Sequence, residues 1–298
     1  MKSKWIVMPI FAALCTFVAC SKKDSPADPN PNPGGPGIDS SKCLLSEVKY
    51  DNLPMNAPYF VDNISFTYDS LKRITSRNVI HGYLLYSYEP GKVTTRGYIN
   101  SIADSNLTNR IVYSLDNNGR IVSHINYTYF RPKSEADIYG RIRMAYEYNT
   151  EGYLTGLKEY DVYTTDEILS QDFKFTYQNG NMVQKEVAHY DKNFANNVKK
   201  GTDTISYTYD NTTWFPEAAY LYEINDYRPF KTDKANKNNV TSIQLKLYDQ
   251  TGGNLNLYKT IQYVYSVKGP KLEKATMTAT TTKGITINST IGFGYKCD

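Results

Sequence analysis

Apolar and polar positions alternate at period two through most of the chain. The pattern is clearest from Arg110 to His124, RIVYSLDNNGRIVSH. Ile111, Tyr113 and Leu115 alternate with Val112 and Ser114, which puts three apolar groups on one face of a pleated strand. Asp116-Asn117-Asn118-Gly119 is turn chemistry. Asp at the first position bonds its own backbone, and Gly at the fourth tolerates positive φ. Arg120-Ile121-Val122 then starts a returning strand. The segment predicts a β-hairpin.

Most of the chain repeats this unit. Ile64-x-Phe66-x-Tyr68-Asp69 leads into Ser70-Leu71-Lys72-Arg73-Ile74, and Leu84-x-Tyr86-x-Tyr88 into Glu89-Pro90-Gly91-Lys92-Val93. Met144-x-Tyr146-x-Tyr148 leads into Asn149-Thr150-Glu151-Gly152, and Phe173-x-Phe175-x-Tyr177 into Gln178-Asn179-Gly180, whose Asn-Gly pair is a strong hairpin signal. Ile205-x-Tyr207-x-Tyr209-Asp210, Ile261-x-Tyr263-x-Tyr265 and Ile291-x-Phe293-x-Tyr295 continue the series, the last with no return strand. The repeat tyrosines are spaced from 20 residues (Tyr68 to Tyr88) to 56 (Tyr209 to Tyr265). A solenoid holds a fixed period, so the pattern predicts an all-β antiparallel meander of Tyr-rich hairpins. It is expected to form a closed or strongly curled barrel-like sheet of about 14 to 17 strands. Gly119 and Gly152 are expected at positive φ.

The first 42 residues read differently. Residues 1–20 have the form of a secretory signal: Lys2 and Lys4, an apolar core from Trp5 to Val18, then Phe17-Val18-Ala19-Cys20. The apolar core is too short for a spanning helix. Its ending resembles a bacterial lipobox, which implies acylation of Cys20 and a membrane partner reached through lipid. Residues 21–42 hold five prolines and almost no bulky apolar group. Such a segment cannot build a core. As an extended tether, at about 3.1 Å per residue, it spans roughly 60 Å. Residues 43–298 then form a single all-β domain.

The repeat pattern Tyr-x-Tyr-Asp-x-x-Gly-Arg resembles the YD repeats of RHS-type proteins. Together with the lipoprotein start, the chain is similar to a family of Bacteroides-group lipoproteins described as a domain of unknown function with a porin-like fold. The resemblance covers roughly 45–298. Its motif is turn chemistry, so it implies a fold and carries over no functional residues.

Composition narrows the function. The chain holds 28 Tyr against 11 Phe and 2 Trp, which suits half-buried pleated positions whose hydroxyls reach water or a turn. Removing Lys2 and Lys4 takes the formal charge from +4 to +2, which gives no electrostatic case for nucleic acid. His81, His124 and His189 sit in no metal-ligand spacing, and no P-loop or Gly-x-Ser-x-Gly pattern is present. No cofactor, metal or catalytic residue is assigned. Paired carboxylates for glycoside hydrolysis would be invisible, since their separation is spatial.

One stretch breaks the repeat. In WFPEAAYLYEINDYRPFK, Trp214, Phe215, Tyr220, Tyr222, Tyr227 and Phe230 gather around Arg228. An exposed aromatic platform binds sugar rings, peptides or other apolar faces, and the bland alternative is core filling under a long loop. Cys43 opens the first predicted strand of the domain and Cys297 ends the last. If those strands pair antiparallel the two meet, and exported proteins mature where disulfides form. A Cys43–Cys297 bridge is therefore expected, with two unpaired terminal cysteines as the alternative.

These readings favour a lipid-anchored, non-catalytic β-domain at the outer membrane, on its periplasmic or extracellular face, binding a glycan, peptide or protein. The alternatives are a lipid-anchored polysaccharide-active enzyme and a membrane-spanning barrel. Against the latter stand the lipobox, the Lys-Cys-Asp ending and strands read as shorter than the 9–11 residues a span needs.

Overall fold

The computed structural model describes residues 43–51, 63–79, 82–129, 138–163, 166–191, 198–214, 236–248, 258–268 and 271–297. All lie in one compact unit, 32–298. The chain runs through β1 (Cys43–Asp51), β2 (Ile64–Tyr68), β3 (Ile74–Val79), β4 (Gly82–Glu89), β5 (Lys92–Ile99), β6 (Leu107–Leu115), β7 (Ile121–Tyr129) and β8 (Ile138–Tyr148). It continues through β9 (Leu154–Val162), β10 (Glu167–Gln178), β11 (Asn181–Tyr190), β12 (Lys199–Thr213), β13 (Asn238–Lys246), β14 (Tyr258–Lys268), β15 (Lys271–Thr281) and β16 (Thr286–Cys297). Every strand pairs antiparallel with its chain neighbours, and β16 pairs with β1, so the sixteen strands close into a barrel.

The two rims differ. The repeat turns 69–73, 90–91, 116–120, 149–153 and 179–180 all fall on one rim, together with the start of β1 and the end of β16. There Cys43 is disulfide-bonded to Cys297 across a sequence separation of 254. Chain-entropy arithmetic for a loop this long gives roughly 5 kcal/mol as an upper value. The connection from β12 to β13, residues 214–237, is on this rim too, and the connections after β1, β3, β5, β7, β9, β11, β13 and β15 fall on the opposite, loop rim.

The repeat tyrosine is the organising contact. Tyr68 donates its hydroxyl to Leu45 O (2.7 Å), Tyr88 to Ile74 O (2.8 Å), Tyr148 to Ile121 O (2.9 Å) and Tyr295 to Leu272 O (2.9 Å). Tyr209 and Tyr265 do the same to Met182 O and Val240 O. Each thus ties the end of one strand to the start of the strand before it. The turn carboxylate completes the clasp. Asp116 accepts from the N–H groups of Asn118 and Arg120 and from Arg120 Nε, and Arg120 lies over the Tyr148 ring. Asp69, Arg73 and Tyr88 reproduce the arrangement. Asn149 supplies the turn acceptor where Asp is absent.

A β-bulge follows most of these turns, between Thr67/Tyr68, Ser114/Leu115, Glu147/Tyr148, Thr208/Tyr209 and Ser266/Val267, and between Leu45/Glu47 at the seam. The extra residue sits on the returning strand and resets its alternation. Inward positions there fall at i and i+3: Leu45 and Val48, Ile121 and His124, Leu154 and Leu157, Val240 and Ile243, Leu272 and Ala275, all buried.

The faces are opposite to those of a spanning barrel. Inward side chains form two apolar clusters. One is built from β1–β4 and β13–β16, the other from β5–β11. Inward charges act on nearby strands: Arg77 of β3 acts electrostatically on Tyr50 of β1, and Tyr50 on Tyr263 of β14. Burial pushes the Tyr50 hydroxyl up to about 12, with Arg77 pulling it back. The outer wall is polar. It carries Lys274, Thr276, Thr278 and Thr280 on β15, and the ion pairs Lys49–Glu47, Lys158–Glu147 and Arg143–Glu167. Apolar exceptions are exposed Tyr139 and Val264 and the cluster of Tyr98, Leu107 and Tyr129 near the loop rim. A lipid-facing wall needs an apolar band, and Lys or Arg at its midplane costs about 2–4 kcal/mol each. Strand length does not make this distinction, contrary to the sequence expectation: β8, β14 and β15 have 11 residues and β10 and β16 have 12.

Two predictions follow from the clasp. At Asp69 and Asp116 burial raises the carboxyl pKa, but the combined hydrogen bonds and charge of Arg73 and Arg120 outweigh it and hold both below the usual range. A depressed folded value adds stability above the unfolded value near pH 4, and this stability is lost as pH falls through the folded value. The Asp69→Asn/Asp116→Asn variant should therefore lose less stability than wild type between pH 5 and the acid limit, measured by denaturant midpoints. Equal acid sensitivity would contradict the clasp. Gly119 and Gly152 have φ of 75° and 89°, and a Cβ at Gly152 would meet nothing within 4 Å. Gly152→Val should therefore cost about 1–3 kcal/mol through backbone conformation alone. Gly152→Asn should cost clearly less.

Candidate functional site

The aromatic stretch singled out in the sequence leaves the barrel on the turn rim. Trp214, half-buried, follows the end of β12, and its N–H donates to Lys237 O (3.1 Å). Phe215, Tyr220, Tyr222, Tyr227, Arg228 and Phe230 lie outside the described residues, as do Cys20, the leader and the tether. The excursion's base is a polar lock. Asp210 Oδ1 accepts from Thr212 N and Asn239 N, and fully buried Asn239 donates to Thr212 Oγ1 and Thr213 O. Asn181 Oδ1 accepts from Lys237 N and Asn238 N. Asp210 keeps the repeat's acceptor role after the turn glycine is lost.

A second site stands inside the barrel, towards the loop rim. Register places Glu159 of β9, Gln171 of β10, His189 of β11 and Gly201 of β12 side by side on the inward face. His189 Nε2 lies 2.7 Å from Asp203 Oδ2, and Gln171 Nε2 lies 3.4 Å from His189 Nδ1. Ser170 Oγ donates to Glu159 Oε1 (2.9 Å). Tyr248 donates its N–H to Asp203 Oδ1 (2.5 Å), and its ring stacks on His189 at 6.3 Å between centroids. Gly201 makes this approach available: a Cβ there would lie 2.2 Å from the Tyr248 ring carbons. Tyr248 stays 37% exposed, so a built aromatic surface meets solvent beside an imidazole, an amide and two carboxylates.

The hydrogen bonds fix the tautomer of the imidazole. The Gln171 amide donates to Nδ1, so the Nε2–H donates to Asp203. Both ring nitrogens are committed. Each Asp203 oxygen accepts one of these hydrogen bonds and keeps a further lone pair. His124 is a core residue, 8% exposed, with Nδ1 2.9 Å from the Tyr146 hydroxyl. His81 lies outside the described residues. Among the described residues no group of three His, Cys, Asp or Glu side chains is placed to hold a metal ion.

Sequence reading weighed His189 only as a metal ligand and did not join it to Asp203, Gly201 or Tyr248. The available signal was the pairing of β11 with β12, which sets His189 opposite Gly201 and Val187 opposite Asp203.

The fold and site define a closed barrel with a polar outer wall and a polar mouth on its loop side. Known structures share the barrel fold. A porin-like protein from Bacteroides uniformis matches with a TM-score of 0.55 at 11% identity, over 85% of this chain and 98% of its own. A porin-like protein from Bacteroides vulgatus matches with a TM-score of 0.55 at 12% identity, over the same shares. At such identities the likeness lies in the fold alone. No family model matches the chain, and no curated protein matches its sequence.

Asp203 supports both His189 and the Tyr248 backbone. Asp203→Ala removes both bonds to that carboxylate and should cost about 1.5–3 kcal/mol. It should also release Tyr248, raising that residue's nitration rate. Unchanged stability and nitration would show that the network does not hold.

Proposed function

We propose that this protein is a lipid-anchored, non-catalytic β-barrel of the outer membrane that binds a glycan at its loop-side mouth. The observation that carries the reading is the pairing of a polar outer wall with an exposed Tyr248 ring beside hydrogen-bonding side chains. Sugars present an apolar ring face for stacking and hydroxyls for polar partners, which suits an aromatic platform edged by amide and carboxylate groups. The charged outer wall argues against the spanning barrel. The lipobox at Cys20 supports the anchor, and the porin-like neighbours from Bacteroides are consistent with an outer-membrane or surface setting. Cys43, where the described barrel begins, lies on the turn rim, at the opposite end of the barrel from the Tyr248 site.

Full-length Cys20→Ala protein is expected in the soluble fraction without detergent, while wild type sediments with membranes. A variant that still needs detergent would return the spanning reading. On glycan and peptide arrays the soluble variant should bind a saccharide, and adding Tyr248→Ala should weaken that at least tenfold. Binding that instead follows Trp214→Ala would move the site to the turn rim, and an empty glycan array would overturn the reading.

A further inference from the structure

The seam disulfide is asymmetric, and its surroundings set which sulfur reacts. Both cysteines lie on the turn rim, Cys297 exposed and Cys43 half-exposed. Lys271 Nζ stands 3.2 Å from Cys297 Sγ. Its position is fixed by the repeat clasp: the ammonium lies over the Tyr295 ring at 5.1 Å, and Tyr295 donates its hydroxyl to Leu272 O. In the other clasps the same post-turn cation meets the carboxylate of Asp69 or Asp116. At the seam its polar partner is a sulfur.

We propose that Cys43 is a thiol-exchange site through which a dithiol partner opens and closes the barrel seam, with Cys297 as the leaving thiolate held by Lys271. An incoming thiolate attacks Cys43 Sγ and forms a new S–S bond. The Cys43–Cys297 bond breaks, and its electron pair leaves on Cys297 Sγ beside the Lys271 ammonium. The partner's second thiolate then attacks the partner sulfur of the mixed disulfide. Cys43 departs as a thiolate and takes up a proton. The partner ends as a disulfide and the seam as two thiols, so two electrons have passed. The reverse sequence closes the seam. Exchange runs faster through the better-stabilised leaving group, and a neighbouring cation supplies that stabilisation. The remaining register pairs of β1 with β16, from Leu44↔Lys296 to Asp51↔Thr290, keep the strands together while the bond is open. The assignment is independent of the glycan reading, because it concerns the opposite rim.

The test uses folded, full-length protein with glutathione as the thiol. The reaction is quenched with acid, free thiols are alkylated, and peptides are read by mass spectrometry. Glutathione is expected on Cys43 with Cys297 free. Lys271→Gln should slow exchange by roughly threefold per unit of lost thiolate stabilisation and even out the two adducts. Lys271→Arg should preserve rate and selectivity. Glutathione mainly on Cys297, or equally on both sulfurs in wild type, overturns the proposal, as does unchanged selectivity in Lys271→Gln. Should Lys271→Gln misfold, the wild-type adduct and the Lys271→Arg variant still decide the matter.

Discussion

A closed sheet of sixteen strands must either fill its interior or hold water. In porins a similar strand number encloses an aqueous channel. Here the interior half nearest the repeat turns is filled, and tyrosine fills it. Aliphatic side chains are short for so wide a cross-section. A tyrosine reaches further, but its hydroxyl must find a partner once buried. The repeat supplies one: the carbonyl at the start of the preceding strand. The hydrogen bonds of Tyr68, Tyr88, Tyr148, Tyr209, Tyr265 and Tyr295 are thus the condition for using tyrosine at these positions. The arginine stacked on the ring and the carboxylate beneath it hold that geometry at the turn.

The same constraint sets one part of the wall apart near the loops. Near the turns, tyrosines and aliphatic residues pack into the two inward clusters. Nearer the loops, the β9–β12 wall places Glu159, Gln171, His189 and Asp203 on the inward face, where the apolar clusters give way. Polar groups there satisfy one another in a short network and leave an aromatic ring exposed. Ile64 of β2 and Ala279 and Thr281 of β15 stay buried at that same end, so the polar change belongs to the β9–β12 wall. The barrel's outer wall carries threonines and ion pairs.

The hairpins, the closed antiparallel sheet and the tyrosine series were legible because each rests on local chemistry: alternation, Asp or Asn before the turn, Gly at positive φ. Closure was legible too, since one cysteine stands at each end of the domain. The inward faces of the returning strands were not. A period-two reading of Ile121-Val122-Ser123-His124 puts Ile121 and Ser123 on one face, whereas the bulge after the turn pairs Ile121 with His124. The mouth was hidden for a related reason. His189 and Asp203 meet only once β11 and β12 are in register, and Gly201 reads as an ordinary strand glycine until Tyr248 is seen lying on it. The aromatic cluster from Trp214 to Phe230 was read as a composition, and only its first residue is placed.

The seam has a mechanical consequence. The chain enters the barrel at Cys43 and leaves it at Cys297, one opposite the other on a single rim. A load arriving through the segment before Cys43 would, without the bond, act on β1 alone and peel it from β16 one residue pair at a time. With the bond, the pull divides between two strands lying side by side. Unzipping from that end is blocked, and extraction would require several rows of hydrogen bonds to shear together. The oxidised molecule behaves towards tension as a closed hoop, and the reduced one as a ribbon with a loose end.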